Sequence, residues 1–108
     1  MGSESLSVEL DRDGFLQDHR QWTPQVAEAL ARDENLALTE AHWELIHLIR
    51  AFYLQFDRSP AMRPLVRYVK QELGPGKGNS IYLLSLFPES PANRLSRIAG
   101  LPRPENCL

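Results

Sequence analysis

The stretch from about Glu40 to Phe56 constrains this chain more than any other part of it. Leu45, Leu48, Ile49, Phe52 and Phe56 recur at helical spacing, and Trp43, Ile46 and Tyr53 widen the apolar face. Only Glu40, Glu44, His47, Ala51 and Gln55 trace a more polar stripe. A helix apolar over so much of its circumference must pack on more than one side, so this is the expected central helix. The rest of the chain supplies covers for it. Thr23-Pro24, Ser59-Pro60 and Ser90-Pro91 each place a hydroxyl residue before a proline. The hydroxyl suits a helix N-cap, and proline suits the first helical position, where no N–H is needed. Helices are predicted at about 24–33, with Val26 and Leu30 inward, and from Ser59 to about Leu73, with Met62, Leu65, Val66, Val69 and Leu73 on one face. Pro64 is tolerable only near the beginning of that helix, so its regular part is expected to start later than Ser59 suggests. Shorter helices at about 79–87 and 91–99 turn Leu83, Leu86, Phe87, Leu95 and Ile98 inward. Ahead of all these, Ser7 to Leu10 alternate polar and apolar residues, and Asp13-Gly14 precedes Phe15-Leu16. That pattern predicts a small N-terminal β-hairpin, and nothing later reads as strand. The fold class is therefore mainly α, a compact helical domain with a small hairpin.

At 108 residues the chain makes one domain with a modest core, and its 43% hydrophobic and 24% charged residues suit a soluble protein. A single cysteine excludes an internal disulfide. With no basic-then-apolar leader and no run of about 18 apolar residues, a cytoplasmic location without membrane association is expected. The net charge of −2 hides an asymmetry: residues 1–57 hold 4 Lys/Arg against 11 Asp/Glu, and residues 58–108 hold 8 against 3. The basic half could attract an acidic protein surface or RNA phosphates, unless folding interleaves the two halves.

The single cysteine, Cys107, is the penultimate residue, on a tail running from Gly100 to Leu108. Gly100 can end a helix, and Pro102 and Pro104 prevent another from starting. An extended, polyproline-like arm at about 3 Å per residue would carry the thiol about 20 Å beyond the last helix. Residues 1–99 are thus expected to form the body and 100–108 an arm. Other sites are weaker. His19, His42 and His47 lie apart, and His42 and His47 stand about 140° around one helix, poor geometry for a metal. The Gly74-Pro75-Gly76-Lys77-Gly78 turn lacks the order of a phosphate loop and reads as a connector. Trp22, Trp43, Phe52, Tyr53, Tyr68 and Phe87 read as core rather than as a base-stacking surface. The predicted helices 40–56 and 60–73 could form a helix-turn-helix, with Arg63, Arg67 and Lys70 as its basic side; a nucleic-acid-binding module with an incidental cysteine is the alternative from another class.

From about Val8 to Leu108 the sequence resembles the DsrC/TusE family. The resemblance is carried by DRDGFL (11–16), HWELIHLIRAFYLQF (42–56), SPAMRPLVRYVK (59–70), GNSIYLLSLFP (78–88) and AGLPRPENCL (99–108), in that order. It implies a helix-turn-helix-like core and an extended, mobile C-terminal arm. It also implies that the penultimate cysteine, Cys107, carries sulfur as a persulfide, with no other cofactor. Two-cysteine members place a second cysteine ten residues earlier, where this chain has Arg97. That departure removes any disulfide or trisulfide within the arm, disfavours a sulfite-reductase role and favours the single-cysteine TusE branch. The branch implies a TusBCD-like sulfur donor, an MnmA-like thiouridylase acting on tRNA as acceptor, and the 2-thio group of the wobble uridine as destination. A carrier in another sulfur pathway is the alternative within the family.

Relay by persulfide needs one accessible thiolate, because sulfane sulfur moves between thiols by displacement. An ordinary cysteine, with a pKa of about 8.5, is only a few per cent ionised near neutrality. Arg103 is the nearest cation in sequence and a candidate for thiolate support or partner docking, while Glu105 and the terminal carboxylate oppose it. On an exposed arm these effects are screened. The free thiol is therefore expected to be weakly activated, with partner pockets supplying the positive surroundings.

Overall fold

The computed structural model describes residues 8–104. A 3-10 turn, His19–Gln21, precedes α1 (Pro24–Asp33), α2 (Glu40–Phe56), α3 (Met62–Leu73), α4 (Ser80–Leu86) and α5 (Pro91–Ile98). Most of the starts follow from local chemistry. Thr23 Oγ1 accepts from the Val26 N–H at 3.2 Å, with Pro24 at the first helical position. Asn79 Oδ1 accepts from the Tyr82 N–H at 2.8 Å. At Thr39 a histidine completes the capping box: the Thr39 N–H donates to Nδ1 of His42 at 3.1 Å. The other ring nitrogen of His42 donates to the Leu86 carbonyl at 2.8 Å, tying the start of α2 to the end of α4.

Ser59-Pro60 does not start a helix. α3 begins at Met62 with Ala61 as its N-cap. A helix beginning at Pro60 would put Pro64 at its fifth position, where an N–H is needed; beginning at Met62 puts it at the third, where none is.

The expected N-terminal β-hairpin is corrected by the structure. Among the described residues there is no strand, only one antiparallel bridge between Leu10 and Leu16. The turn itself forms: the Asp11 carboxylate accepts from the N–H groups of Asp13 and Phe15, both at 2.9 Å, and Gly14 takes φ +85°. The ladder stops because Phe15 and Leu16, neighbours in sequence, are both buried, which breaks the alternation a strand needs. Asp18 then caps the 3-10 turn and leads the chain away.

The core gathers Val26, Leu30, Leu45, Ile46, Ile49, Leu65, Val69, Leu83, Phe87, Leu95, Ile98 and Leu101. Its hub is α5, which packs against each of the other four helices, rather than the expected α2. The breadth of α2 has a different meaning. Its first half is buried through Leu45, Ile46 and Ile49, whereas Leu54 and Phe56 at its far end are exposed.

Candidate functional site

The described chain ends four residues before its C-terminus, at the base of the predicted arm; Cys107 lies outside the described residues. That base is built by the end of α5. Gly100 adopts φ +75°, its N–H donates to the Arg97 carbonyl at 3.1 Å, and the Leu101 N–H donates to the Ser96 carbonyl at 2.9 Å. This is a Schellman motif, and Leu101, buried in the core, is its hydrophobic contact. The next two carbonyls are taken from outside. Trp22 Nε1 donates to Ile98 at 2.9 Å, and Arg50 Nη1 donates to Ala99 at 2.7 Å. The Arg50 guanidinium also lies 4.2 Å from the centroid of the Trp22 ring. Burial lowers its pKa from the ordinary arginine value, and the cation faces the negative end of the α5 dipole. No Cβ fits at Gly100, since it would stand 2.8 Å from the Trp22 Cβ.

Beyond the cap the chain stays on the body. Ser59 Oγ donates to the Pro102 carbonyl at 2.5 Å, and Pro104 is buried. Arg103, a sequence candidate, pairs with Asp13 at 3.0 Å, joining the arm base to the Asp11–Gly14 turn. An arm free from Gly100 onwards is therefore not what the structure contains: residues 100–104 are tethered. Trp22, Arg50 and Ser59, which make the tether, were missed as functional residues. The available signals were a lone arginine inside the apolar run of α2 and a Ser-Pro pair not immediately followed by a helix.

Arg97, where the resemblance implies a second cysteine in two-cysteine members, has a structural role. It donates to the Gly14 carbonyl at 2.8 Å, to Glu34 at 2.5 Å and to Asp33 at 2.9 Å. Burial alone would lower its pKa, but the hydrogen bonds and charges of Asp33 and Glu34 raise it above the ordinary arginine value. The three histidines stand in separate surroundings: His42 in its cap, His19 against Tyr53, and His47 between the rings of Trp22 and Trp43. In the Gly74–Gly78 turn Lys77 is engaged by Glu44 at 2.8 Å.

A groove of about 860 Å³ opens beside the arm base, lined by Met62, Leu84, Pro91, Asn93, Arg103 and Pro104 among others. Three peptide links join Pro104 to Cys107, so covalent geometry alone limits the Cys107 Cα to within about 11 Å of the Pro104 Cα. A macromolecule reacting with that thiol must come close to this edge of the body.

A family model described as DsrC like protein matches residues 3–108. The chain is 48% identical over 103 residues to a Haemophilus influenzae protein named Sulfurtransferase TusE homolog, covering 95% of this chain and 94% of that protein. It is also 48% identical over 108 residues to Sulfurtransferase TusE of Sodalis glossinidius, covering 100% of both. The NMR structure of Allochromatium vinosum DsrC superimposes with a TM-score of 0.88 at 41% identity, covering 100% of this chain and 96% of that one. With the helical fold and the end-to-end match in agreement, the chain belongs to the DsrC-like family.

Proposed function

We propose that this protein is a sulfurtransferase of the TusE kind that carries sulfane sulfur on Cys107. The observation that carries the reading is the end-to-end match to proteins named Sulfurtransferase TusE in a chain whose one thiol is the penultimate residue. The Cys107 thiolate attacks the outer sulfur of a donor persulfide. A new S–S bond forms, the donor's S–S bond breaks, and the donor thiolate leaves. In the second half an acceptor thiolate attacks the outer sulfur on Cys107, whose own thiolate is the leaving group. Neither step changes the overall redox balance, so no redox cofactor takes part.

The reading places the protein in the cytoplasm; no helix among the described residues is long and apolar enough to cross a membrane. It takes a TusBCD-like complex as donor and an MnmA-like thiouridylase with its tRNA as acceptor, and the destination is the 2-thio group of the wobble uridine. The tether shapes the delivery. With residues 100–104 held on the body, the thiol works from a short tip, and both partners must dock beside the groove at the arm base. Arg103 helps to define that docking edge.

Intact mass spectrometry after incubation with a sulfane-sulfur donor system tests the chemistry. The expected result is a gain of one sulfur atom that reductant reverses and that Cys107→Ser abolishes. No gain with a competent donor relay would overturn the carrier reading. Salt-sensitive duplex-DNA binding indifferent to Cys107→Ser would then favour the binding-module alternative.

A further inference from the structure

Folding sorts the cations of the basic C-terminal half into two sets. Lys77, Arg94, Arg97 and Arg103 are paired with Glu44, Glu34, Asp33 and Asp13 of the acidic half. Arg58, Arg63, Arg67 and Lys70 make no ion pair among the described residues. All four are exposed, and they cluster on α3 and the turn that precedes it. Arg63, Arg67 and Lys70 fall on one helical face over a rise of about 10 Å. Together with Met62 and Val66 they line one depression.

Beside this row is an aromatic slot of about 330 Å³. Its walls include Phe52, Phe56 and Tyr68, with the Phe52 ring 4.6 Å from that of Phe56 and 4.9 Å from that of Tyr68. Arg58 and Arg67 also line it, so Arg67 belongs to both depressions. Sequence reading assigns Phe52 and Tyr68 to the core, but both are only half-buried and Phe56 is 45% exposed. Met62 in turn lines the groove at the arm base, so slot, basic row and arm base form one continuous surface.

We propose that this surface binds single-stranded RNA, with one unpaired base in the Phe52–Phe56–Tyr68 slot and adjoining phosphates on Arg58, Arg63, Arg67 and Lys70. An aromatic slot matches the π-face of a base, and unpaired arginines match phosphates. Neither half alone selects the ligand; together they select an anionic polymer carrying flat rings. A base stacked within a duplex cannot enter such a slot, which selects single strands. The choice of RNA over DNA rests on the sulfur-delivery reading. It adds to that reading a direct contact between the carrier and the nucleic acid, on the side of the body where the described chain ends at Pro104.

Fluorescence anisotropy with the full-length protein tests it, using a labelled RNA hairpin with a seven-nucleotide loop and a fully paired RNA duplex of equal length. The loop RNA is expected to bind at least about tenfold more tightly than the duplex. At about 0.7 per phosphate, three or four contacts give a slope of log K against log salt of about −2 to −3. Arg67→Glu should weaken binding at least about tenfold. Phe56→Ala should weaken it at least about fivefold with the slope unchanged, because it removes stacking and no charge. Both positions are exposed, circular dichroism checks their folding, and Arg63→Glu serves if Arg67→Glu is unfolded.

Equal affinity for the duplex, no saturable binding, or binding indifferent to both substitutions would overturn the proposal. So would α3 variants that lose capture of a thiouridylase while the unsubstituted protein binds no RNA, since the face would then serve an acidic protein surface. Persulfide loading, followed by intact mass, separates the two readings. Normal loading with no RNA binding removes the RNA face and leaves the carrier. Loop-RNA binding with no loading supports the RNA face and removes the carrier.

Discussion

Gly100 shows how one position can decide where an arm begins. Its φ of +75° closes the cap on α5, and the Trp22 side chain occupies the space a Cβ would need. Gly100→Ala combines a backbone strain of about 1 kcal/mol with overpacking of about 1–3 kcal/mol, so a loss of about 2–4 kcal/mol is expected. Urea denaturation followed by tryptophan fluorescence reads it; a midpoint unchanged from that of the unsubstituted chain would contradict the account. Asp18 offers a second residue-scale check. Hydrogen bonds from the side chain and backbone of Arg20 hold its carboxyl below the ordinary 3.8. A depressed carboxyl contributes stability that is present above its unfolded value and lost as pH falls through the folded one. The Arg20 amide resonance should therefore titrate with a midpoint under 3.8, and a midpoint at or above that value would remove the cap as described.

Among the elements, α5 organises the molecule although it is only eight residues long. Its apolar face meets the other helices, its C-terminal carbonyls receive Trp22 and Arg50, and its Arg97 reaches back to α1 and the N-terminal turn. Arg97→Ala would leave Glu34, a largely buried carboxylate, with only Arg94 at 3.7 Å. Breaking a fully buried pair costs about 3–5 kcal/mol; with Asp33 in solvent, a loss of about 2–3 kcal/mol is expected in thermal or urea unfolding. On the proposed carrier function, persulfide loading of Cys107 should survive in this variant at temperatures where it remains folded. The α2 helix shows why apolar breadth misled as a sign of centrality. Periodicity reports which faces are apolar, and only the packing reports whether another element covers them. At the far end of α2 the extra apolar face borders the aromatic slot instead.

At the scale of the whole molecule, charge is redistributed by folding. Ion pairs across the two halves consume the cations of α5, the Gly74–Gly78 turn and the arm base, and the unpaired remainder collects on α3 and the turn before it. The Arg103–Asp13 pair is the outermost of these links, spanning 90 residues. Both partners are exposed, so Arg103→Glu should change unfolding free energy by under about 1 kcal/mol. On the proposed carrier function, sulfur transfer to the acceptor should nevertheless slow, because the arm base is untied where the partners are proposed to dock. Single-turnover transfer measured beside the urea midpoint separates the two effects; unchanged transfer would make the pair a surface ornament.

The helix boundaries at Pro24, Asp33, Phe56 and Leu73, the late start forced by Pro64, the cap at Gly100 and the lone thiol at Cys107 were all legible in the sequence. Each depends on neighbours within a few residues: a cap, a proline, a glycine, a period. The hairpin failed by the same measure, since its turn is local but its ladder required alternation that the burial of both Phe15 and Leu16 removed. Only the tertiary structure decided which helix is the hub, how far the arm is tethered and which cations stay unpaired. Those outcomes depend on contacts between residues 33 to 90 positions apart, such as Lys77 with Glu44, Ser59 with Pro102 and Arg103 with Asp13. Coulomb attraction and hydrogen bonding act on distance in space, and a linear pattern does not encode that distance until the chain has packed.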